Sequence, residues 1–212
     1  MRIVAIDTSS EFGSIALIQD GEIVEETALQ SSAGFDDVLF PQLVELMERH
    51  GWGFAQVGAF AAGAGPGSFA GVRVALAAVK GLAETAGVPA AAISNLAAMA
   101  SLGSAALRAP FFDARRAEIF SAIYDSNLSP LVPEAARPLD AWLASLPADA
   151  ELMTPDPTPF ATALGGRHVT LTPRALAGVI GKLAISQLQD PVALDANYVR
   201  RSDAKLNWKD VG

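Results

Sequence analysis

Residues 63 to 73, Gly63-Ala-Gly-Pro-Gly-Ser-Phe-Ala-Gly-Val-Arg73, carry the clearest chemical signal in this chain, because they set a glycine-rich turn directly before a helical pattern running from Val74 to Ala86. The apolar run from Val57 to Ala62 before them has the length and composition of a buried parallel strand. Strand, tight loop and helix together make the geometry of an anion site. The first N–H groups of a helix lack partners and carry the positive end of its dipole, and glycines let a phosphate approach the backbone. On that reading Gly65, Gly67 and Ser68 would cradle the anion. The same residues fit a second reading, a sharp strand-to-helix turn with Ser68 as its N-cap. Neither familiar phosphate loop is spelled out. Lys80 lies beyond the loop, so Gly-x-x-x-x-Gly-Lys-Ser/Thr is absent, and the run of Gly63, Gly65 and Gly67 is not Gly-x-Gly-x-x-Gly.

Other chemistries have less to build on. Gly67-Ser-Phe-Ala-Gly71 matches the letters of a Gly-x-Ser-x-Gly nucleophile elbow, but its downstream histidine would have to be His168, in the least patterned part of the chain. The only other histidine, His50, ends a helical pattern before Gly51, where it offsets the helix dipole. The two share no metal-ligand spacing, and no metal site is expected. With no cysteine, thiolate catalysis, disulfides and cysteine-ligated zinc or iron–sulfur sites are excluded, which is compatible with a reducing cytoplasm.

The elements that must position these residues are legible in the first half. Strands are expected at Ile3 to Asp7, Ser14 to Gln19 and Glu22 to Leu29, the last two joined by the hairpin signal Asp20-Gly21. A helix from Asp37 to His50 carries Leu39, Leu43, Leu46 and Met47 on one face, with Pro41 tolerable in a first turn. The helix after the glycine loop aligns Val72, Leu76, Val79, Ala83 and Ala86 and stops at Gly87 and Pro89. A strand from Ala90 to Ser94 then leads into a helix from Asn95 to Ala105. The order βββαβαβα marks an α/β domain over residues 1–108 with helices covering a mixed sheet. Residues 109–212 begin the same way: setting Asp113 on Asp7 aligns Ser121 to Asp125 with Ile15 to Gln19, an offset of 106 residues. From Pro130 to Pro173 prolines and alanines leave little periodicity. A last helix is expected from Arg174 to Gln189, with Thr172 as N-cap and Pro173 at its first position.

The chain has 212 residues, 51% of them apolar, enough for a substantial core in one compact unit or two small lobes. Near the start, Arg2 is followed by Ile3 to Ile6 and then Asp7, an apolar run too short for a signal peptide's apolar core or a membrane span, and the alanine-rich stretch from Ala70 to Ala106 is broken by Arg73, Lys80, Glu84 and Pro89. No membrane association is expected. A net charge of −8 disfavours independent nucleic-acid binding, since phosphate contacts need a basic surface. The basic pairs Arg115-Arg116 and Arg200-Arg201, the second followed by Lys205 and Lys209, are solvated surface charge or local contacts to a nucleic-acid backbone.

Five ordered pieces resemble the bacterial TsaB (YeaZ-like) family. They are Ile6-Asp-Thr-Ser-Ser10, Gly65-Pro-Gly-Ser-Phe-Ala-Gly-Val-Arg73 with Lys80-Gly-Leu-Ala83, Ile93-Ser-Asn-Leu96, Asp113-Ala-Arg-Arg-Ala-Glu-Ile-Phe120 and Asn197-Tyr-Val-Arg200. The likeness covers residues 1 to about 125, thins from Ser126 to Asp190 and returns at the C-terminal end. It implies the duplicated α/β fold of actin/sugar-kinase/Hsp70-like ATPases, in two lobes with the second reduced. In that fold Asp7 and Asp113 stand at strand ends beside the phosphate loops, with the Thr8 and Ser9 hydroxyls at the first turn; each Asp equally suits a turn cap. The related TsaD-type transferase carries a His-x-x-x-His metal pair, and Asn95 and Met99 stand at those positions here, while Phe35 replaces a frequent His. The resemblance therefore implies a non-catalytic subunit of the complex that makes N6-threonylcarbamoyladenosine at position 37 of tRNAs reading codons that begin with A. Its partners would be a TsaD-type transferase, a TsaE-type ATPase and, through the complex, tRNA. The isolated chain would be a cytoplasmic homodimer without cofactor, with an adenine nucleotide allowed at the subunit boundary of the complex. Leu39, Leu43, Val72, Ala75, Ala78, Val79 and Gly81 are the expected interface, and Arg200 and Arg201 the expected RNA contact. The alternatives are a small kinase or ATPase of the same fold and, less well supported, a metallopeptidase.

Overall fold

The computed structural model describes residues 1–29 and 34–199; the expected RNA contact at Arg200 and Arg201 lies outside them. Two five-stranded mixed sheets repeat one plan. In the first, β1 (Arg2–Asp7), β2 (Ser14–Gln19), β3 (Glu22–Ala28), β4 (Ala59–Gly65) and β5 (Ala90–Ser94) lie in the order β3-β2-β1-β4-β5. In the second, β6 (Arg108–Arg115), β7 (Glu118–Tyr124), β8 (Pro130–Pro138), β9 (Glu151–Thr154) and β10 (Thr170–Leu171) lie in the matching order β8-β7-β6-β9-β10. In each, the first three strands form an antiparallel meander and the last two add in parallel. The repeat expected from setting Asp113 on Asp7 is thus a repeat of topology.

Alternation builds the first lobe. Val4, Ile6, Ile15, Leu17, Phe60 and Ala62 face α1 (Asp36–Arg49) and α2 (Phe69–Ala86), whereas Ile3, Ala5, Ala16, Ile18, Ala59 and Ala61 face the opposite side. That opposite side is covered by α3 (Asn95–Ala100) and by α6 (Ala177–Ala184), which comes from the far end of the chain. Gly178 and Gly181 allow this close packing; a Cβ on Gly181 would meet Ile18 Cγ1 at 2.7 Å. The other side of α3 meets the second sheet at Ala114, Phe120, Ala122 and Tyr124, so this short helix is shared by the two lobes. The second lobe's outer face is closed by α4 (Leu139–Ser145) and α5 (Ala161–Leu164), with Trp142 packed 5.2 Å from Phe111.

Several boundaries differ from the sequence reading. Pro41 falls in the second turn of α1, not the first. The late helix is confined to Ala177–Ala184, with neither Thr172 nor Pro173 at its start. Arg174 is drawn away by Asp156 Oδ2 at 2.9 Å and lies over the Phe12 ring, and the Ala177 N–H is capped by Ser14 Oγ of β2 at 3.1 Å. At the other end Gln189 pairs with Ala90 on the β5 edge. Helix α3 ends at Ala100. Beyond α6 the chain lies over the first lobe: Leu194 enters its core and the Asn197 N–H donates to Ala64 O at 2.8 Å. The first lobe therefore uses residues from both ends of the chain.

Candidate functional site

The glycine loop follows β4 and opens α2, and its strained point is Gly65, whose φ of +95° lies in the left-handed region open to glycine. Its N–H donates to Asn95 Oδ1 at 2.9 Å. Ser68 caps α2, its hydroxyl accepting from the Gly71 N–H at 3.3 Å. The space beside the loop is taken by the turn after β1. The Ser68 N–H donates to Ser9 O at 2.6 Å and Thr8 Oγ1 donates to Gly71 O at 2.7 Å. A Cβ on Gly67 would meet Ser9 Cβ at 2.9 Å, and one on Gly71 would overlap the Thr8 carbonyl oxygen. Here the glycines admit the chain's own backbone.

Asp7 lies beneath this contact, 1% exposed. Its Oδ1 accepts from the Ser9 N–H at 3.0 Å and its Oδ2 from Asn95 Nδ2 at 3.0 Å, and the same Asn95 amide donates to Ser9 Oγ at 2.8 Å. Burial pushes the Asp7 carboxyl above its ordinary value, while the hydrogen bonds from Ser9 and Asn95 pull the other way. Asp113 stands at the equivalent strand end but is exposed; its Oδ1 accepts from the Arg115 N–H at 2.7 Å, so it caps the β6–β7 hairpin. The helix expected to start at Asn95 does so in the structure. Ser94 caps it, accepting from the Ala97 N–H at 3.2 Å, and Asn95 turns inward to join β1, β4 and α3. Sequence reasoning missed this hub, whose one signal is a polar residue in the first turn of an otherwise apolar helix.

Between the lobes lies a cleft of about 830 Å³. Ser9, Gly67, Ser68 and Asp113 line it, whereas Asp7, Thr8 and Gly65 lie outside its lining. Phe12, Phe69, Phe112, Phe120, Phe160 and Tyr198 give it aromatic walls that the sequence did not reveal, because they come from distant segments. Glu134 ties the lobes beside it: Ser94 Oγ donates to Oε1 at 2.6 Å, Tyr124 Oη donates to the same oxygen, and Asn197 Nδ2 donates to Oε2. Burial and the neighbouring Glu134 charge push the Tyr124 phenol upward, so it stays a donor.

The expected interface residues divide differently from the sequence reading. Leu39, Leu43, Val72, Ala75, Ala78 and Val79 are buried in the lobe's own core, because the most apolar stripe of each helix is the one that covers the sheet. Only Gly81 of the set is exposed; the outward faces carry Phe40 and Val44 on α1 and Phe69, Arg73 and Ala77 on α2. His50 Nε2 lies 2.6 Å from Glu25 Oε2, and Met99 is buried in the core. Among the described residues no group of three or more His, Asp or Glu side chains could hold a metal ion, and no helix is long and apolar enough to cross a membrane.

Residues 30–160, more than half of the chain, match the family described as TsaD: tRNA N6-adenosine threonylcarbamoyltransferase. Three curated relatives are called tRNA threonylcarbamoyladenosine biosynthesis protein TsaB. That of Haemophilus influenzae is 39% identical over 129 residues, covering 61% of this chain and 51% of the relative. That of Escherichia coli is 34% identical over 131 residues, 60% and 56% of the two chains, and that of Bacillus subtilis 29% over 151 residues, 69% and 66%. The chain thus spans about half to two thirds of the relatives it matches. Two solved structures from Pseudomonas aeruginosa share the fold. One, described as an uncharacterized protein with similarity to peptidase YEAZ, has a TM-score of 0.77 at 24% identity, covering 94% of this chain and 99% of that one. The other, described as YeaZ, has a TM-score of 0.73 at 24% identity, covering 92% and 100%.

Proposed function

The chain belongs to the TsaB (YeaZ-like) family, and from that membership we propose that it is a non-catalytic activator subunit of the complex forming N6-threonylcarbamoyladenosine at position 37 of tRNAs reading codons that begin with A. A TsaD-type transferase performs the transfer in this scheme, a TsaE-type ATPase joins the assembly, and tRNA is held by the complex in the cytoplasm. The observation that carries the reading is the filled cradle between β1 and α2. Thr8 and Ser9 occupy the close approach that the glycines permit, and both Asp7 oxygens are taken by Ser9 and Asn95. An adenine nucleotide, where one is needed, would sit at the boundary with the partner. The outward faces of α1 and α2, with Phe40, Val44, Ala77 and Gly81, are the proposed pairing surface, used by a second copy when the chain is alone. Small residues at Ala77 and Gly81 permit close helix approach.

Reconstitution tests the proposal. Transferase and TsaE-type ATPase should form little modified nucleoside without this chain, regain activity when it is added, and the chain alone should neither modify tRNA nor hydrolyse ATP. Turnover of ATP by the purified chain that Asp7→Ala abolishes would refute the scaffold role in favour of a kinase-like enzyme.

A further inference from the structure

Around the mouth of the interlobe cleft, arginines lie on aromatic faces in an arrangement that the scaffold role leaves unused. The Arg73 guanidinium sits 3.8 Å from the Phe69 ring centroid and 6.0 Å from that of Tyr198. Its Nε donates to Tyr198 Oη at 2.9 Å, and the two rings lie 5.3 Å apart. Phe69 and Tyr198 are 45% and 49% exposed, so they do not serve the core. A second stack borders the same cleft, with Arg174 at 4.3 Å over Phe12. From the opposite lobe the β6–β7 hairpin brings Arg115 and Arg116, which with Ala117 form three consecutive left-handed residues, φ 66°, 57° and 60°. Non-glycine residues persist in that conformation only where the surrounding structure holds the backbone there.

The chemistry of this rim is specific. The cleft lining carries Arg115, Arg116 and Arg174 beside the carboxylates Glu11, Asp113 and Asp156, with Arg115 paired to Asp113 at 3.6 Å and Arg174 to Asp156 at 2.9 Å, and Arg73 adds a further guanidinium next to the lining residues Phe69 and Tyr198. Half-exposed aromatic rings with stacked guanidinium planes recognise unpaired bases, since a base offers a π face to ring or guanidinium alike and the flanking cations meet its phosphates. A cleft of about 830 Å³ has room for a nucleotide. We propose that Phe69, Arg73 and Tyr198, with Arg115 and Arg116 across the cleft, form a stacking platform for an unpaired nucleotide of a single-stranded RNA segment. This rests on the reading that the chain works within a tRNA-modifying complex. The platform adjoins the proposed pairing surface, because Phe69 and Arg73 continue the exposed stripe of α2 that holds Ala77 and Gly81.

The test titrates a fluorescent single-stranded oligoribonucleotide with the full chain at low salt, followed by anisotropy. Weak binding is expected, lowered about ten-fold by Phe69→Ala or Tyr198→Ala and retained by Tyr198→Phe, which keeps the ring. Arg115→Gln combined with Arg116→Gln should flatten the salt dependence by about two phosphate contacts. All these side chains are exposed, and circular dichroism verifies folding. Binding that the ring variants leave unchanged overturns the platform, as does full displacement by AMP at concentrations below those of the oligonucleotide, which marks a mononucleotide site. If reconstituted modification depends on the chain while the ring variants bind RNA normally, the platform alone fails. If the chain never supports modification, the subunit role fails while the titration still decides the platform.

Discussion

Replacing Gly71 by Ala isolates the contact between the β1 turn and α2, because the same change at Gly81 in the same helix supplies its control. Inside a helix, Gly→Ala ordinarily stabilises by about 0.8–1 kcal/mol. At Gly81 nothing lies within 4 Å of the added methyl. In the dissociated chain, at concentrations too low for pairing, Gly81→Ala should therefore gain up to about 1 kcal/mol, raising Tm by about 2–4 °C in a chain of this size. At Gly71 the new Cβ would overlap the Thr8 carbonyl oxygen and lie 3.0 Å from its carbonyl carbon. Both atoms are backbone, so the turn must retreat toward the roughly 3.5 Å that carbon atoms need. That movement strains the hydrogen bonds from Thr8 Oγ1 to Gly71 O and from Ser68 N to Ser9 O, 2.7 and 2.6 Å long. Losing two such bonds at about 1 kcal/mol each, with about 1–3 kcal/mol of overpacking and about 1 kcal/mol regained from helix propensity, leaves a net loss of about 2–4 kcal/mol. The corresponding fall in Tm is about 4–16 °C. Thermal and urea unfolding of the three proteins measure both shifts. A Gly71→Ala protein as stable as the parent, or two substitutions that move Tm in the same direction, would refute the packed-cradle argument.

Three further outcomes are expected. The Asp7 carboxyl has a folded pKa above 3.8, so between 3.8 and that value the folded state binds more protons than the unfolded one; its contribution to stability falls as pH rises and its cost is complete above the folded pKa. The stability of Asp7→Asn relative to the parent should accordingly climb with pH across that window in urea titrations, and a flat difference would refute it. Ser14→Ala removes the cap of α6 and should cost about 1 kcal/mol, with faster amide exchange in the first turn of α6. Ala77→Arg or Gly81→Arg should separate subunits in sedimentation experiments with circular dichroism unchanged; assembly that survives both changes would place the interface elsewhere.

The order of the first lobe was legible because its strands alternate or run apolar and its helices carry single stripes, as β1, β2 and α1 show. What the glycine loop approaches was not legible: the letters announce close contact, and only the fold supplies Thr8 and Ser9 as the contacting groups. Gly81 aside, the interface expectation named residues of the apolar stripes of α1 and α2, which cover the lobe's own sheet, and so passed over the outward faces with Phe40, Val44 and Ala77. The β8 strand was hidden by Pro130, Pro133 and Pro138, residues tolerated because β8 is the edge of its sheet. The start of α6 depends on a hydroxyl donated from β2, 163 residues earlier, which no local pattern can signal.

The return of α6 and Leu194 to the first sheet has a consequence for how the protein is made. Synthesis proceeds from the N-terminus, so the first sheet leaves the ribosome with one face covered by α3 alone, and Ile3, Ala5, Ile18 and Ala61 await α6, a segment more than one hundred residues downstream. The second sheet is built from one continuous stretch and can close before the first is complete. Nascent chains halted before residue 177 should consequently recruit holdase chaperones or aggregate, and those extended past residue 199 should be released as the long-range contacts close the first lobe last.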